Sequence, residues 1–297
     1  MKIETALSEK LFRLRRPNRV VRICQKLGLT SRRNILWSWY EPRNFGDWVG
    51  PYLFWKMTGD RPLFCRPSLT KGRFRNRAEA IATAGSILRH ITVPERVHVW
   101  GSGIISAHDE FQEPLEIYAV RGPRSMKRAH QLGYECPDIF GDPAIVLPKV
   151  YAPIVERKYR LGIIPHYSDF EKVSLLLQHR YDLHVVDVTQ SVETVISEIL
   201  SCEATLASSL HGLIVSHAYG LRSTWIASED RLIGDNIKFV DYLESVGLYG
   251  MTEPETVDWH QSADKLENLA THQFNVEQER LSIPLLEACP FLEKTNE

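Results

Sequence analysis

Two apolar patterns alternate along this chain. Short unbroken apolar runs ending in glycine or a polar turn predict buried strands, and longer stretches with apolar positions three and four apart predict helices. From Asn34 onward, Ile35–Tyr40, Ala80–Ala84, Val97–Trp100 and Ile117–Val120 read as strands. Asp47–Thr58, closed by Gly59, and Arg124–Leu132, stopped by Gly133, read as helices. Pro148 and Pro153 flank a polar link, after which the pattern restarts. Leu161–Ile164, His184–Val188, Ala204–Ala207 and Ser223–Ala227 predict strands. Phe170–Gln178, Val192–Leu200, Leu213–Tyr219 and Phe239–Val246 predict helices, with a mostly helical tail from Ala263. Alternating strand–helix units imply parallel sheets covered on both faces. The expected fold is α/β, with two doubly wound domains, 34–150 and 151–297, facing a cleft, and an arm at 1–33.

Composition narrows the class. The chain has 297 residues, 43% hydrophobic and 25% charged, an ordinary globular mix that excludes disorder and a small disulfide scaffold. A net charge of −1 argues against a globally basic nucleic-acid binder. The mean conceals an asymmetry, because residues 1–33 carry +8 and the remainder −9. Leu7, Leu11, Leu14, Val20, Ile23 and Leu27 keep helical spacing in that arm, with Pro17 interrupting. It reads either as a helix packed on the body or as a contact with anionic lipid, where each Lys or Arg contributes about 1 kcal/mol. A mitochondrial address is opposed by Glu4 and Glu9. Five widely separated cysteines without a CxxC pair point to reduced thiols and a cytoplasmic setting. No apolar run reaches membrane-spanning length and no secretory core opens the chain, so the arm is the candidate contact with the inner face of the cell membrane.

The unusual residues gather at predicted strand ends, where open α/β sheets bind ligands. Asn44-Phe45-Gly46-Asp47 opens the first helix; Asp47 either caps it or, with Asn44, faces a ligand. Gly101-Ser102-Gly103 follows a strand and could cradle an anion with backbone amides. Arg121 stands at a strand end before Gly122-Pro123; it either pairs with an acid at the surface or binds carboxylate or phosphate. Asp142, in Gly141-Asp142-Pro143-Ala144, either satisfies its own turn or acts as base toward a sugar hydroxyl. The strongest segment is Ser208-Ser209-Leu210-His211-Gly212, which ends a buried strand and starts an apolar helix. An imidazole there titrates near neutrality beside an anion-favouring helix start. His217 reads as a core or surface residue, and His90, His98, His108 and His166 as isolated, so no metal is expected. Phosphate-loop, HExxH, GxSxG and GxGxxG patterns are absent from the sequence.

Taken in order, these five segments resemble the polysaccharide pyruvyl transferase family. Ser228-Glu229-Asp230-Arg231 and Ile237-Lys238-Phe239-x-Asp241-Tyr242 are also similar to bacterial ketal-pyruvate transferases, and the likeness spans roughly 34–250. The resemblance implies two Rossmann-like domains in a GT-B-like arrangement. It implies transfer of the enolpyruvyl unit of phosphoenolpyruvate onto two hydroxyls of one sugar in a lipid-linked polysaccharide repeat unit, giving a pyruvate ketal and phosphate. No cofactor is implied beyond phosphoenolpyruvate as co-substrate. By analogy Arg121 binds the donor anion and His211 protonates its methylene carbon. Where some relatives carry an arginine two residues before the histidine, this chain has Ser209, so Lys238 and Arg231 become the candidates for a second cation.

Two other functions fit the same architecture. A nucleotide-sugar glycosyltransferase predicts stabilisation by a nucleoside diphosphate, and a non-catalytic glycan-binding protein predicts acceptor binding with no donor consumed.

Overall fold

The computed structural model describes residue 24 and residues 35–37, 44–60, 62–65, 80–92, 96–228, 235–270 and 278–292. The basic arm, apart from residue 24, and Arg231 lie outside the described residues. Nine strands are described, and all their pairings are parallel. They are β1 Ile35–Trp37, β2 Leu63–Cys65, β3 Ala80–Ala82, β4 Val97–Ser102, β5 Glu116–Val120, β6 Tyr159–Ile164, β7 His184–Val185, β8 Cys202–Ala207 and β9 Arg222–Trp225. They form a five-stranded sheet, order β2-β1-β3-β4-β5, and a four-stranded sheet, order β7-β6-β8-β9. The helices are α1 Phe45–Thr58, α2 Pro123–Gln131, α3 Leu147–Val150, α4 Phe170–Leu176, α5 Val192–Leu200, α6 Leu210–Ala218, α7 Ile237–Ser245, α8 Ala263–Leu269 and α9 Gln278–Glu287. Parallel sheets with helical crossovers are the Rossmann-like α/β architecture.

Each sheet reverses its direction of growth once. In the first the reversal falls between β1 and β3, in the second between β6 and β8. Such switch points open a crevice at the strands' carboxyl ends. The segments that follow these four strands are Asn44–Gly46, Thr83–Ser86, Pro165–Ser168 and Ser208–His211, so topology alone nominates them as the ligand-facing set.

One apolar cluster runs through both halves. Phe45, Trp48, Val49 and Leu53 of α1 share it with Val192, Val195 and Ile196 of α5, Leu213 and Ile214 of α6, and Phe239 of α7. α1 is buried on nearly every side of its first ten residues, as a helix enclosed by other elements must be. Separate clusters cover the outer faces: Val97, Val99, Leu88 and Ala129 on the first sheet, and Leu161, Ile163, Val173 and Leu266 on the second.

Several boundaries move from the sequence reading. α1 begins at Phe45 rather than Asp47, because Asn44 takes the cap position with φ −126° and ψ 107°. α6 begins at Leu210, three residues before the apolar run suggests, because Ser209 caps it. β2 is an extra strand, only three residues long and directly after Pro62.

Candidate functional site

The first wall of the site is the start of α1. Asn44 Oδ1 accepts the Gly46 amide at 3.2 Å, while Asn44 Nδ2 donates to Asp47 Oδ2 at 2.9 Å. Asn44 is thus the cap, and Asp47 braces the capping side chain from the helix's positive end. The His211 ring lies directly on Gly46: a Cβ there would fall on Nδ1 and within 2.7 Å of Cγ. Phe45 meets the same ring edge-on, with centroids 6.4 Å apart. Alanine in a helix interior normally gains about 1 kcal/mol over glycine, but overpacking a fitted core costs about 1–3 kcal/mol. Gly46→Ala is therefore expected to be destabilising on balance, read as a lower denaturant midpoint; a raised midpoint would show that the ring moves aside freely.

The second wall is the Gly101–Gly103 turn. Gly101 has φ +77°, and a Cβ on it would lie 2.6 Å from Gly141 O. Ser102 is fully buried and donates through Oγ to Gly85 O at 2.9 Å; the Gly103 amide donates to the same carbonyl at 3.0 Å. Gly103 carries no side chain because the Arg121 guanidinium lies against it, where a Cβ would come within 2.8 Å of Nε. These glycines give close packing beneath Arg121, and the Gly103 amide is engaged within the protein.

Arg121 is not at the surface. It is fully buried and faces Asp241, also fully buried, with both Nε and Nη2 at 3.0 Å from Oδ2. Nη1 donates to Ser86 Oγ at 2.6 Å and Nη2 to Ile104 O at 2.5 Å. Asp241 in turn sits on the start of α2: Oδ1 accepts the amides of Arg124 (2.9 Å) and Ser125 (3.0 Å), and Oδ2 accepts Ser125 Oγ at 2.6 Å. A carboxylate from α7 thus fills the anion-favouring position that Arg121 and the α2 amides create. Gly122 is required there, since a Cβ would come within 2.7 Å of the Asp241 carbonyl carbon.

His211 occupies the middle. Its Nε2 lies 3.7 Å from Asp142 Oδ2, too far for a hydrogen bond, and the two form an ion pair only when the ring is protonated. Nε2 is buried without a hydrogen-bond partner among the described residues. Asp142 is fully enclosed; it caps the turn Pro143–Val146 through the Ala144 amide at 3.0 Å and receives the Gly85 amide at 3.4 Å. Burial lowers the His211 pKa, Asp142 opposes that shift, and the positive charges of Arg121 and Lys238 add to it. The imidazole is therefore held neutral. Ser209 caps α6 through the Gly212 amide at 3.3 Å.

Lys238 brings a further positive charge near His211. It is half-buried, and burial followed by the charge of Arg121 pushes its ammonium down to about 8, against the pull of Asp47. His217 is a core histidine, with Nδ1 2.9 Å from Tyr242 Oη and Nε2 3.2 Å from Ser223 O. The structure thus gathers Asn44, Asp47, Gly101–Gly103, Arg121, Asp142, Ser209, His211 and Lys238 around one region. It adds two residues that the sequence reading gives no role: Asp241 and His166, the latter at the end of β6. A groove of about 560 Å³ at the β5 edge is lined by Glu113, Glu116 and Glu135 with no basic side chain, which suits an anion poorly.

Residues 95–230 match the family model for polysaccharide pyruvyl transferase. This stretch contains Arg121, Asp142, His166 and His211, and leaves out Asn44, Asp47 and Lys238. Over 159 residues the chain is also 31% identical to "Uncharacterized protein L143" of Acanthamoeba polyphaga mimivirus, a match that covers 50% of this chain and 55% of that protein. The chain thus spans about half the length of the curated relative it matches. Among the described residues no helix is long and apolar enough to cross a membrane.

Proposed function

We propose that this protein transfers the pyruvyl unit of phosphoenolpyruvate onto two hydroxyls of one sugar in a polysaccharide or its lipid-linked repeat unit. The product is a cyclic pyruvate ketal, and inorganic phosphate leaves. In this reading the halves 34–150 and 151–297 act as two Rossmann-like domains facing a cleft, and the +8 arm holds the protein at the inner face of the membrane. The observation that carries the reading is the position of His211: a buried imidazole 3.7 Å from Asp142, whose Nε2 has no hydrogen-bond partner among the described residues, inside the matched stretch.

Lys238 takes the donor's negative charge, and Arg121 adds positive potential from beneath through its buried pair with Asp241. Entry of a trianion beside His211 reverses the local field and raises the imidazole's proton affinity, so donor binding itself generates the acid. The imidazolium protonates the methylene carbon to a methyl group, and the electron-poor carbon left behind accepts the first sugar oxygen. Departure of phosphate lets the second oxygen close the ring. Of the two hydroxyl protons released, one balances the new methyl hydrogen and the other leaves on phosphate. Asp142 faces the His211 ring and steadies its charged form.

The test is release of phosphate from phosphoenolpyruvate with a panel of glycan acceptors, together with a new methyl signal in the product. Stabilisation by nucleoside diphosphates instead, with no phosphate released, would replace this reading with a glycosyltransferase. Lys238 gives the reading a pH signature. Its ammonium is charged below about 8, so affinity for phosphoenolpyruvate is expected to fall as pH rises through that value. Lys238→Met should weaken binding by roughly 10–100-fold at neutral pH, the range for losing a charged hydrogen bond, and flatten that pH dependence. Calorimetric titration across pH would reveal an unchanged profile if Lys238 does not meet the donor.

A further inference from the structure

His166 stands at the second sheet's switch point, immediately beyond β6. The two strand ends are stitched together there: the Ser208 and Ser209 amides donate to Ile164 O at 3.1 and 3.3 Å, and the His166 amide donates to Ser208 Oγ at 3.1 Å. This places His166 beside the turn that leads into His211, although 45 residues separate them in sequence.

Its ring is held by a chain of polar contacts. Ser168 Oγ donates to Asp169 Oδ1 at 3.0 Å and lies 2.7 Å from His166 Nδ1, and the Ser168 amide donates to the same nitrogen at 3.4 Å. In the tautomer that donates from Nδ1 to Ser168 Oγ, Nε2 keeps its lone pair. Asp169 is fully buried, and its other oxygen accepts from Ser228 Oγ. Such a chain of His, Ser and Asp fixes the direction of the ring. No hydrogen bond occupies Nε2 among the described residues.

We propose that His166 is the base that takes the proton from the attacking sugar hydroxyl, while His211 is the acid that delivers one to the donor's methylene carbon. The assignment rests on the pyruvyl-transfer reading and completes its proton balance. The first hydroxyl gives its proton to His166 Nε2 as its oxygen bonds to the donor carbon. His211 loses its proton to the methylene, the second hydroxyl proton departs with phosphate, and the proton on His166 restores the one His211 gave up.

The charges facing His166 suit this division. Lys238 and His211 disfavour its charged form and Asp169 favours it, and with burial the largest effect its pKa falls to about 4. A charged His211 disfavours the charged form of His166. A neutral His166 opposite a protonated His211 is the arrangement that the first chemical step requires.

The experiment compares wild type, His166→Ala, His166→Gln and Ser168→Ala for phosphate release and for phosphoenolpyruvate binding. His166→Ala and His166→Gln should both lower kcat by about 10²–10⁴-fold, leaving donor affinity within about twofold, and added imidazole should restore turnover to the alanine variant alone. Ser168→Ala should lose less, about tenfold, because the ring remains but loses the hydroxyl that holds its direction. Turnover of His166→Ala near that of wild type would overturn the assignment; so would a loss matched by loss of donor binding, or a loss that imidazole leaves unmoved. A wild type that releases no phosphate with any acceptor would overturn the pyruvyl-transfer reading itself, and the base with it. The two failures are thus distinct.

Discussion

His211→Ala is expected to lower turnover by about 10²–10⁴-fold while leaving phosphoenolpyruvate affinity within a fewfold of wild type. The asymmetry follows from the geometry. Nε2 makes no hydrogen bond among the described residues, so removing the ring breaks none at that atom. Lys238 and Arg121 remain to set the positive potential that draws the donor. What disappears is the group placed to carry a proton from the Asp142 side to a bound methylene. The pH behaviour separates this from a packing effect: an acid must be protonated, so wild-type kcat should fall as pH rises through the donor-bound pKa of His211, and the variant's residual rate should lack that limb. Equal turnover in both proteins, or a kcat loss that follows donor binding, would remove His211 from the chemistry.

Strand ends are the most legible part of the sequence, for a physical reason. A strand buried on both faces reads as an apolar run, and the glycine, serine or proline that stops it marks the carboxyl edge where ligands bind. His211, Asp142, Asn44 and the Gly101–Gly103 turn are all visible in this way. Partners are harder. Arg121 shows as a strand-end cation, but its burial depends on Asp241, which lies 120 residues away on α7. Asp241 has one local signal: it interrupts the apolar run Phe239–Leu243, where an unpaired carboxylate would be costly. His166 looks isolated in sequence because its link to His211 comes from the pairing of β6 with β8, Ile164 opposite Ala207. Capping explains the shifted helix starts. Asn44 and Ser209 satisfy the Gly46 and Gly212 amides, so the helices begin directly after them, at Phe45 and Leu210.

The Arg121–Asp241 pair carries the second large prediction. Asp241→Ala removes the partner of a fully buried guanidinium and also leaves the Arg124 and Ser125 amides and the Ser125 hydroxyl without their acceptor. Breaking a buried pair from one side costs about 3–5 kcal/mol, and the expected loss lies toward the upper end. Asp241→Asn should recover little, because an amide that keeps an oxygen on the α2 amides turns its NH₂ toward Arg121. Arg121→Met is milder, since the carboxylate keeps two amides, one hydroxyl and the positive end of α2. Replacing both, Arg121→Met with Asp241→Leu, should regain much of the stability, as buried pairs replaced by apolar groups of similar volume often do. The field beneath the site would not return with it. In the double variant His211 should titrate higher than in wild type and phosphoenolpyruvate should bind more weakly, because the charge that disfavoured one and favoured the other is gone. Denaturant unfolding of all four proteins, with donor titration of the folded ones, measures both effects. An Asp241→Ala variant within about 1 kcal/mol of wild type would mean that water or a neighbouring group takes over the pairing and that Arg121 is not held as the structure places it.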